Sequence, residues 1–521
     1  MIGVMSYTPR LTKPVPAEYL RDESRKTGVA EAIAFPRDRS ELTALLRAAD
    51  TAGLPLTPQG ARTGIAAGAV PDGGLVINLS RMDRILACCR ETPDRTLLRV
   101  EPGLPLVLLQ RHLSDRRLFP DPLFFPPDPT EPSATLGGMA ACNASGARSF
   151  AYGATRRHIE AVTAVLADGD TLTLRRGRER AAGRRFAVTT ESGRRLEGDL
   201  PLLPVPEVKN AAGYAARPDM DLIDLLLGSE GTLAILAELE LRLSPAPAGI
   251  LGIVAFFNEE PQALTLVEQI RQQAAAAPSP LLTAIEYFDA EALLLAHEGA
   301  AQTGVPLPSL PSRGRNAVYL EWALNDGPDA ALDRTARLVA AAGGNAVDTW
   351  VAHETVALGR LKTFRHAVPE QINALIAERA RAHPGLTKLG TDFSVPDAKL
   401  RPLLRRYRED LTAANLQHVI FGHIGNNHLH VNILPRNMDE YVMGKRLYHS
   451  WAAQVVAWGG SISAEHGVGR LKRELLREMV GAEGLKAMRR IKRLFDPAGR
   501  LNPGCLFDPN VPSAFSLPPP V

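Results

Sequence analysis

The chain has 521 residues, too many for one hydrophobic core, so two or three domains are expected. Hydrophobic residues make up 45% and charged residues 22%, the balance of an ordinary globular protein, and the net charge of +3 is too small to imply a nucleic-acid partner. No run approaches the roughly 18 consecutive apolar residues of a membrane-spanning helix.

The opening segment MIGVMSYTPRLTKP has no basic stretch followed by a long apolar one, so no secretory signal is expected. Residues 40–53 carry apolar side chains at helical spacing, start on a serine cap and end at Gly53. A strand over LPLTPQ, the loop GARTGIAAGAVPDGG and a second strand, LVINLS, follow, then another strand–loop pattern over 96–104. Residues 133–148, SATLGGMAACNASGAR, are small enough to let backbone approach a ligand closely. Strands run through 160–174, and 222–243 reads as helix, glycine turn and strand. One α/β unit therefore extends to about residue 245.

The arginine run RRGRERAAGRR, 175–185, suits either a solvated hairpin tip or an anionic partner. Beyond 245, strands at 250–257, 283–288 and 317–324 alternate with helices at 261–277 and 329–343, the pattern of an α+β sandwich around an antiparallel sheet. Pro306, Pro308 and Pro311 mark an exposed loop within it. From about 435 the pattern turns helical, and the Pro-rich end SLPPPV is expected to be disordered. Cys88, Cys89, Cys142 and Cys505 form no C-x-x-C pair, so neither a zinc ribbon nor an iron–sulfur cluster is encoded. A reducing cytoplasm is the expected compartment, with peripheral attachment to the inner membrane left open.

Two stretches carry chemistry: FGHIGNNHLHVNIL, 421–434, and SAEHGVGRLK, 463–472. In the first, His428, His430 and Asn432 alternate with Leu429, Val431 and Ile433, the signature of a strand with one polar face, and His423 stands just before it. The second adds Glu465 and His466. Nitrogen and oxygen donors of this kind suit a divalent metal with positions open to substrate. Taken singly, each histidine reads more readily as a hydrogen-bonded residue of a half-buried strand than as a ligand. The clustering of five of the twelve histidines between His418 and His449 favours the metal.

Four segments together, PQGARTGIAAGAV (58–70), DPTEPSATLGGMAACNASGARSFAYGATRRHI (128–159), KNAAGYAARPDMDLIDLLLGSEGTLAIL (209–236) and FDPAGRLNPG (495–504), resemble the FAD-binding flavoprotein family that includes vanillyl-alcohol oxidase and D-lactate dehydrogenase. The resemblance implies an α+β fold with a two-part FAD-binding domain of the PCMH type over 1–245. It further implies an α+β substrate, or cap, domain over 246–455, with an antiparallel sheet. A helical C-terminal segment, 456–521, would return to the FAD domain. By the same resemblance Gly60, Arg62, Thr63 and Gly64 form one phosphate-cradling loop, and Gly137, Gly138, Ser145 and Gly146 a second. Gly231 and Ile235 contact the flavin half, with Asn502 near the isoalloxazine. Glycines suit a pyrophosphate because they remove the Cβ that would block backbone N–H donors. Gln59 and Ala61 depart from the family's usual arginine and glycine. GARTG lacks the histidine of covalent family members, so FAD is expected to be held non-covalently.

The histidine stretches resemble the D-2-hydroxyacid dehydrogenase branch, whose motif is G-H-x-G-D-G-N-x-H-x-N followed later by E-H-G. That likeness implies His423, His430 and Glu465 as metal ligands, zinc first, with manganese or iron also suited by ligand type. It also implies Arg365 as anchor for the substrate carboxylate, and Asn432 in the same pocket. His366 and Lys388 are further pocket candidates. His466 is the natural general base, since imidazole titrates near neutral pH. Residues 426–428 read Asn-Asn-His where Asp-Gly-Asn is usual, which leaves His428 as an additional ligand or a substrate contact. The implied reaction is oxidation of a D-2-hydroxyacid, D-lactate foremost. Electrons would leave to an external quinone, cytochrome or electron-transfer flavoprotein, and a homodimer is compatible. The alternatives are an alkylglycerone-phosphate synthase-like FAD transferase and the flavin subunit of a glycolate-oxidising complex.

Overall fold

The computed structural model describes residues 10–92, 95–276, 281–302, 304, 307–311 and 314–507. Residues 1–9 of the opening segment, Ala277, Pro306 and the tail SLPPPV lie outside the described residues.

Leu42, Leu45, Leu46 and Ala49 recur at helical spacing, and the helix Arg39–Thr51 buries all four. Its cap is Asp38, not the expected serine: Asp38 accepts from the Glu41 N–H, while Ser40 lies inside the first turn. A carboxylate at that point also meets the positive end of the helix. The buried face packs on a four-stranded sheet ordered Leu11–Thr12, Ala32–Ala34, Leu75–Asn78, Leu56–Gln59, whose last three strands run parallel. Leu56 donates its N–H to Arg500 O at 2.8 Å, and its carbonyl accepts from the Asn502 N–H at 2.7 Å. The end of the chain thus returns to the first sheet and brings Asn502 with it.

A second, six-stranded antiparallel sheet runs in the order Ile85–Thr92, Arg95–Val100, Ile235–Pro245, Ile159–Val165, Thr171–Arg175, with Leu123–Phe124 on the end of its central strand. Within the small-residue segment, Leu136–Cys142 is a short helix capped by Thr135, whose Oγ1 accepts from the Gly138 N–H at 3.3 Å. The block 222–243 is helical only over Ile223–Leu226; Gly228 and Gly231, at φ 87° and 70°, turn the chain before a second turn can form.

The arginine run is not a hairpin tip. It joins the strand Thr171–Arg175 to a separate hairpin, Arg185–Thr189 with Arg195–Asp199. Arg175 is held by Glu240 at 2.6 Å and Arg176 by Asp224 at 2.9 Å, so much of its charge is met within the chain.

The third sheet has eight antiparallel strands. Its path runs Trp350–Ala352, Gly249–Phe257, Asn316–Leu324, Leu281–Phe288, His418–Gly422, His428–Ile433, Leu389–Gly390, and Phe393–Ser394 also pairs with the histidine strand. Helices Glu260–Ala276 and Asp329–Ala341 stand near the expected places, and Ala290–Gln302 and Thr355–Ala382 join them. Helices Met438–Ala457 and Arg473–Phe495 follow the sheet, the latter broken at Gly481. The class is α+β, as expected. Among the described residues no helix is long and apolar enough to cross a membrane.

Candidate active site

A cleft of about 1440 Å³ is lined at one end by the glycine loops and at the other by the histidine cluster. Gly60, Arg62, Thr63, Gly64, Gly137, Gly138, Ser145, Gly231, Ile235 and Asn502 all face it. Gly146 does not. A Cβ there would stand 2.0 Å from Asp128 O, so that glycine serves close packing behind the cleft wall. The backbone at Gly60 leaves no room either: a Cβ would lie 2.1 Å from Thr135 Oγ1. Gln59 closes the first loop by donating to Tyr19 O and Ala69 O, both at 2.8 Å.

Asn502 donates to Gly68 O at 2.9 Å and Glu230 O at 2.8 Å. Its Oδ1 and the Oγ of Ser145 are buried without a hydrogen-bond partner among the described residues. Unmet polar atoms of this kind are costly unless something supplies the missing bond. A cleft walled by glycine backbone and ending in such atoms fits a bound FAD.

The other end is built from side chains. Strand His428–Ile433 forms where expected, but both its faces are covered, with His428 and Asn432 buried like the apolar residues between them and His430 partly so. A one-turn 3₁₀ helix, Ile424–Asn426, links it to His418–Gly422, and Asn427 takes the left-handed conformation at φ 51°. Asparagine tolerates that region better than most residues, so this departure from the glycine of the D-2-hydroxyacid dehydrogenase motif costs the turn little.

Glu465 reaches into the middle of the cluster. Its Oε2 lies 3.4 Å from His423 Nε2, and its Oε1 lies 3.3 Å from His430 Nε2 and 3.5 Å from His466 Nε2. The outer nitrogens are answered from behind: His423 Nδ1 is 2.9 Å from Glu286 Oε1, and His430 Nδ1 is 3.1 Å from Thr391 O. Such outer partners orient imidazoles that bind metals. One ligand atom each from His423, His428, His430 and Glu465 lie within 4.8 Å of one another, so the donor set fits a divalent ion.

Burial would depress the His423 pKa, but the charges of Glu465 and Glu286 outweigh it and push the imidazole up to about 9. His430 is pushed down by burial. Burial works against ionised Glu465, yet Lys209 and the histidines hold its carboxyl well below the usual range. Lys209 Nζ stands 2.7 Å from Glu465 Oε2.

Arg365, on the helix Thr355–Ala382, lines the cleft over the Tyr319 ring, 4.8 Å from its centroid. Its Nε pairs with Glu286, the carboxylate that also holds His423. Arg365 and the cluster are therefore tied to one buried group. Lys388, His366 and Asn432 also line the cleft, and burial lowers the pKa of Lys388 and of His366.

Four charged residues that matter here escaped the sequence reading. Asp392 accepts from Ser463 Oγ at 2.7 Å and Lys472 Nζ at 2.6 Å, and its Oδ2 lies 3.2 Å from His466 Nδ1. Glu230 accepts the backbone N–H of Val468 at 2.7 Å and of Gly469 at 2.8 Å, stapling the EHGVG loop to the glycine end of the cleft. Glu286 and Lys209 complete the set. Lys209 and Glu230 lie inside segments the sequence reading singled out; Asp392 and Glu286 carry no local pattern that would mark them.

Residues 30–175 match the family model of an FAD binding domain, and residues 248–506 match that of the C-terminal domain of FAD linked oxidases. Glycolate oxidase subunit GlcD of Bacillus subtilis is 27% identical, covering 92% of this chain and 89% of its own length. A D-lactate dehydrogenase of Anaerostipes hadrus is 28% identical, with 94% of this chain and 92% of its own length covered. A D-2-hydroxyglutarate dehydrogenase of Xanthomonas citri is 29% identical over 95% of this chain and 94% of its own. In fold the chain resembles an alkyldihydroxyacetonephosphate synthase, with a TM-score of 0.62 at 16% identity, covering 91% of this chain and 76% of the synthase.

Proposed function

The chain belongs to the FAD-linked oxidases, and from that premise we propose that it oxidises a D-2-hydroxyacid, D-lactate foremost, to the 2-oxoacid. The observation that carries this reading is one cleft with glycine loops at one end and a histidine–carboxylate cluster beside Arg365 at the other. The likeness to the synthase, at 16% identity, speaks to fold alone.

When bound, FAD supplies the hydride acceptor, and a divalent ion on His423, His430 and Glu465, zinc by preference, supplies Lewis acidity. The chain's own residues do the rest. Arg365 is anchored through Nε by Glu286, which leaves its two Nη groups to grip the substrate carboxylate in bidentate fashion. Asn432 lines the same pocket. His466 takes the hydroxyl proton at Nε2, the nitrogen on the Glu465 side, while Asp392 stands 3.2 Å from its Nδ1 and orients the ring. Electrons then pass to an external quinone, cytochrome or electron-transfer flavoprotein.

Lys388 supports a second substrate reading. It lines the cleft and makes no ion pair among the described residues, so it could hold the distal carboxylate of D-2-hydroxyglutarate. The test is anaerobic titration of the FAD-loaded protein with D- and L-lactate, glycolate and D-2-hydroxyglutarate, followed by flavin bleaching. Bleaching by D-lactate and not by L-lactate supports the first reading; preference for D-2-hydroxyglutarate moves the anchor to Lys388. Full absorbance with every 2-hydroxyacid overturns both.

A further inference from the structure

His428 stands at the point where this chain departs from the D-2-hydroxyacid dehydrogenase motif, which has asparagine there. Its side chain is fully buried. Nε2 lies 2.9 Å from Asp392 Oδ1. On its far side Asp392 is met by Lys472, whose Nζ lies 2.6 Å from Oδ2. Neither ring nitrogen makes an aligned hydrogen bond among the described residues, and the one on the cluster side is Nδ1. What it faces is Glu465 Oε2, 3.9 Å away, itself an acceptor. In a dry site a ring nitrogen and a carboxylate oxygen that face each other with no bond between them are a costly pair, and a cation standing between them would satisfy both.

We propose that His428 is a fourth protein ligand, through Nδ1, so that this chain holds its divalent ion with three imidazoles and one carboxylate. The proposal rests on the metal reading above and goes beyond it. Distances support it. Zinc–ligand bonds of about 2.0–2.1 Å imply tetrahedral edges of roughly 3.3–3.4 Å. Oε2 of Glu465 lies 3.4 Å from His423 Nε2 and 3.9 Å from His428 Nδ1, and its Oε1 lies 3.3 Å from His430 Nε2, so one carboxylate is within reach of all three imidazoles. The His428 and His430 rings meet edge to face, with centroids 4.5 Å apart, and both sit about 5.5 Å from His423. Lys209 shares Glu465 Oε2, which keeps a second lone pair free for an ion.

Four protein ligands change the chemistry. A fourth side-chain ligand would hold the ion more tightly and leave less of it open to substrate.

The test uses the FAD-loaded protein given one equivalent of zinc. X-ray absorption at the zinc edge of the unaltered protein counts imidazoles directly, with no variant to misfold, and three are expected. His428→Asn, which installs the motif's own residue, should show two. Its zinc affinity, by chelator competition, should fall by more than the roughly 10- to 100-fold typical of losing an outer partner. Two imidazoles in the unaltered protein, or equal zinc affinity in His428→Asn, overturns the proposal while leaving the metal reading intact. An unaltered protein that fails to retain zinc overturns the metal reading and this proposal with it.

Discussion

The two ends of the cleft are made of different material. The flavin end is mostly backbone: glycines without room for a Cβ, a helix start capped by Thr135, and neutral atoms awaiting a partner. The substrate end is nearly all charge, with Glu286, Asp392 and Glu465 set among four histidines, Lys209, Lys472 and Arg365. A backbone cradle tolerates altered side chains as long as the chain path survives. Gln59 and Ala61 depart from the family there, yet Gln59 secures the loop with two hydrogen bonds. A charged cluster has less slack, because each buried charge depends on its partners, and His428 stands among them.

That contrast can be broken by experiment. Removing divalent metal with a chelator should abolish substrate-driven flavin bleaching while FAD stays bound; loss of FAD as well would mean that the two ends are not separable. His466→Ala should slow flavin reduction by about 100- to 10,000-fold, the usual worth of a general base, with little change in substrate affinity. Stopped-flow traces at saturating substrate would expose an unchanged rate and so dismiss His466 from that role.

Arg365→Lys should act on binding instead. Losing one charged hydrogen bond is worth about 1.5–3 kcal/mol, so the substrate dissociation constant should rise by roughly 10- to 100-fold. At the opposite end, Gly60→Ala sets a methyl 2.1 Å from Thr135 Oγ1. Either Thr135 rotates and gives up its bond to the Gly138 N–H or the backbone shifts, at about 1–3 kcal/mol for such overpacking, and equilibrium dialysis should show weaker FAD retention with zinc content unchanged. A Gly60→Ala protein that keeps FAD as tightly as before would argue against the cradle.

The smallest effect concerns pH. In metal-free protein His423 has its pKa raised from 6.5 to about 9. The folded state binds that proton more tightly, so the contribution to stability is complete below pH 6.5 and drains away as pH rises through about 9. Thermal midpoints of metal-free protein should show this loss between those limits, whereas zinc-loaded protein, already deprotonated at His423, should not. Identical alkaline profiles would mean that zinc does not engage His423.

Much of this protein is legible residue by residue. The alternation of His428, His430 and Asn432 reflects a strand's two faces, and the glycine loops reflect a backbone requirement, so both depend only on near neighbours in the chain. The flavin family and the histidine pair of the cluster follow from those local features. Folding alone decided that Asp392 should stand behind His466 and His428, that Glu286 should hold both Arg365 and His423, and that Lys209 should sit on Glu465, 256 residues away. Those meetings depend on sheet order and register: Phe421 opposite His430, Tyr287 beside Gly422, Ser394 opposite His428. A buried charge leaves no periodic trace in its own segment, because what makes it tolerable is a partner supplied from elsewhere in the fold.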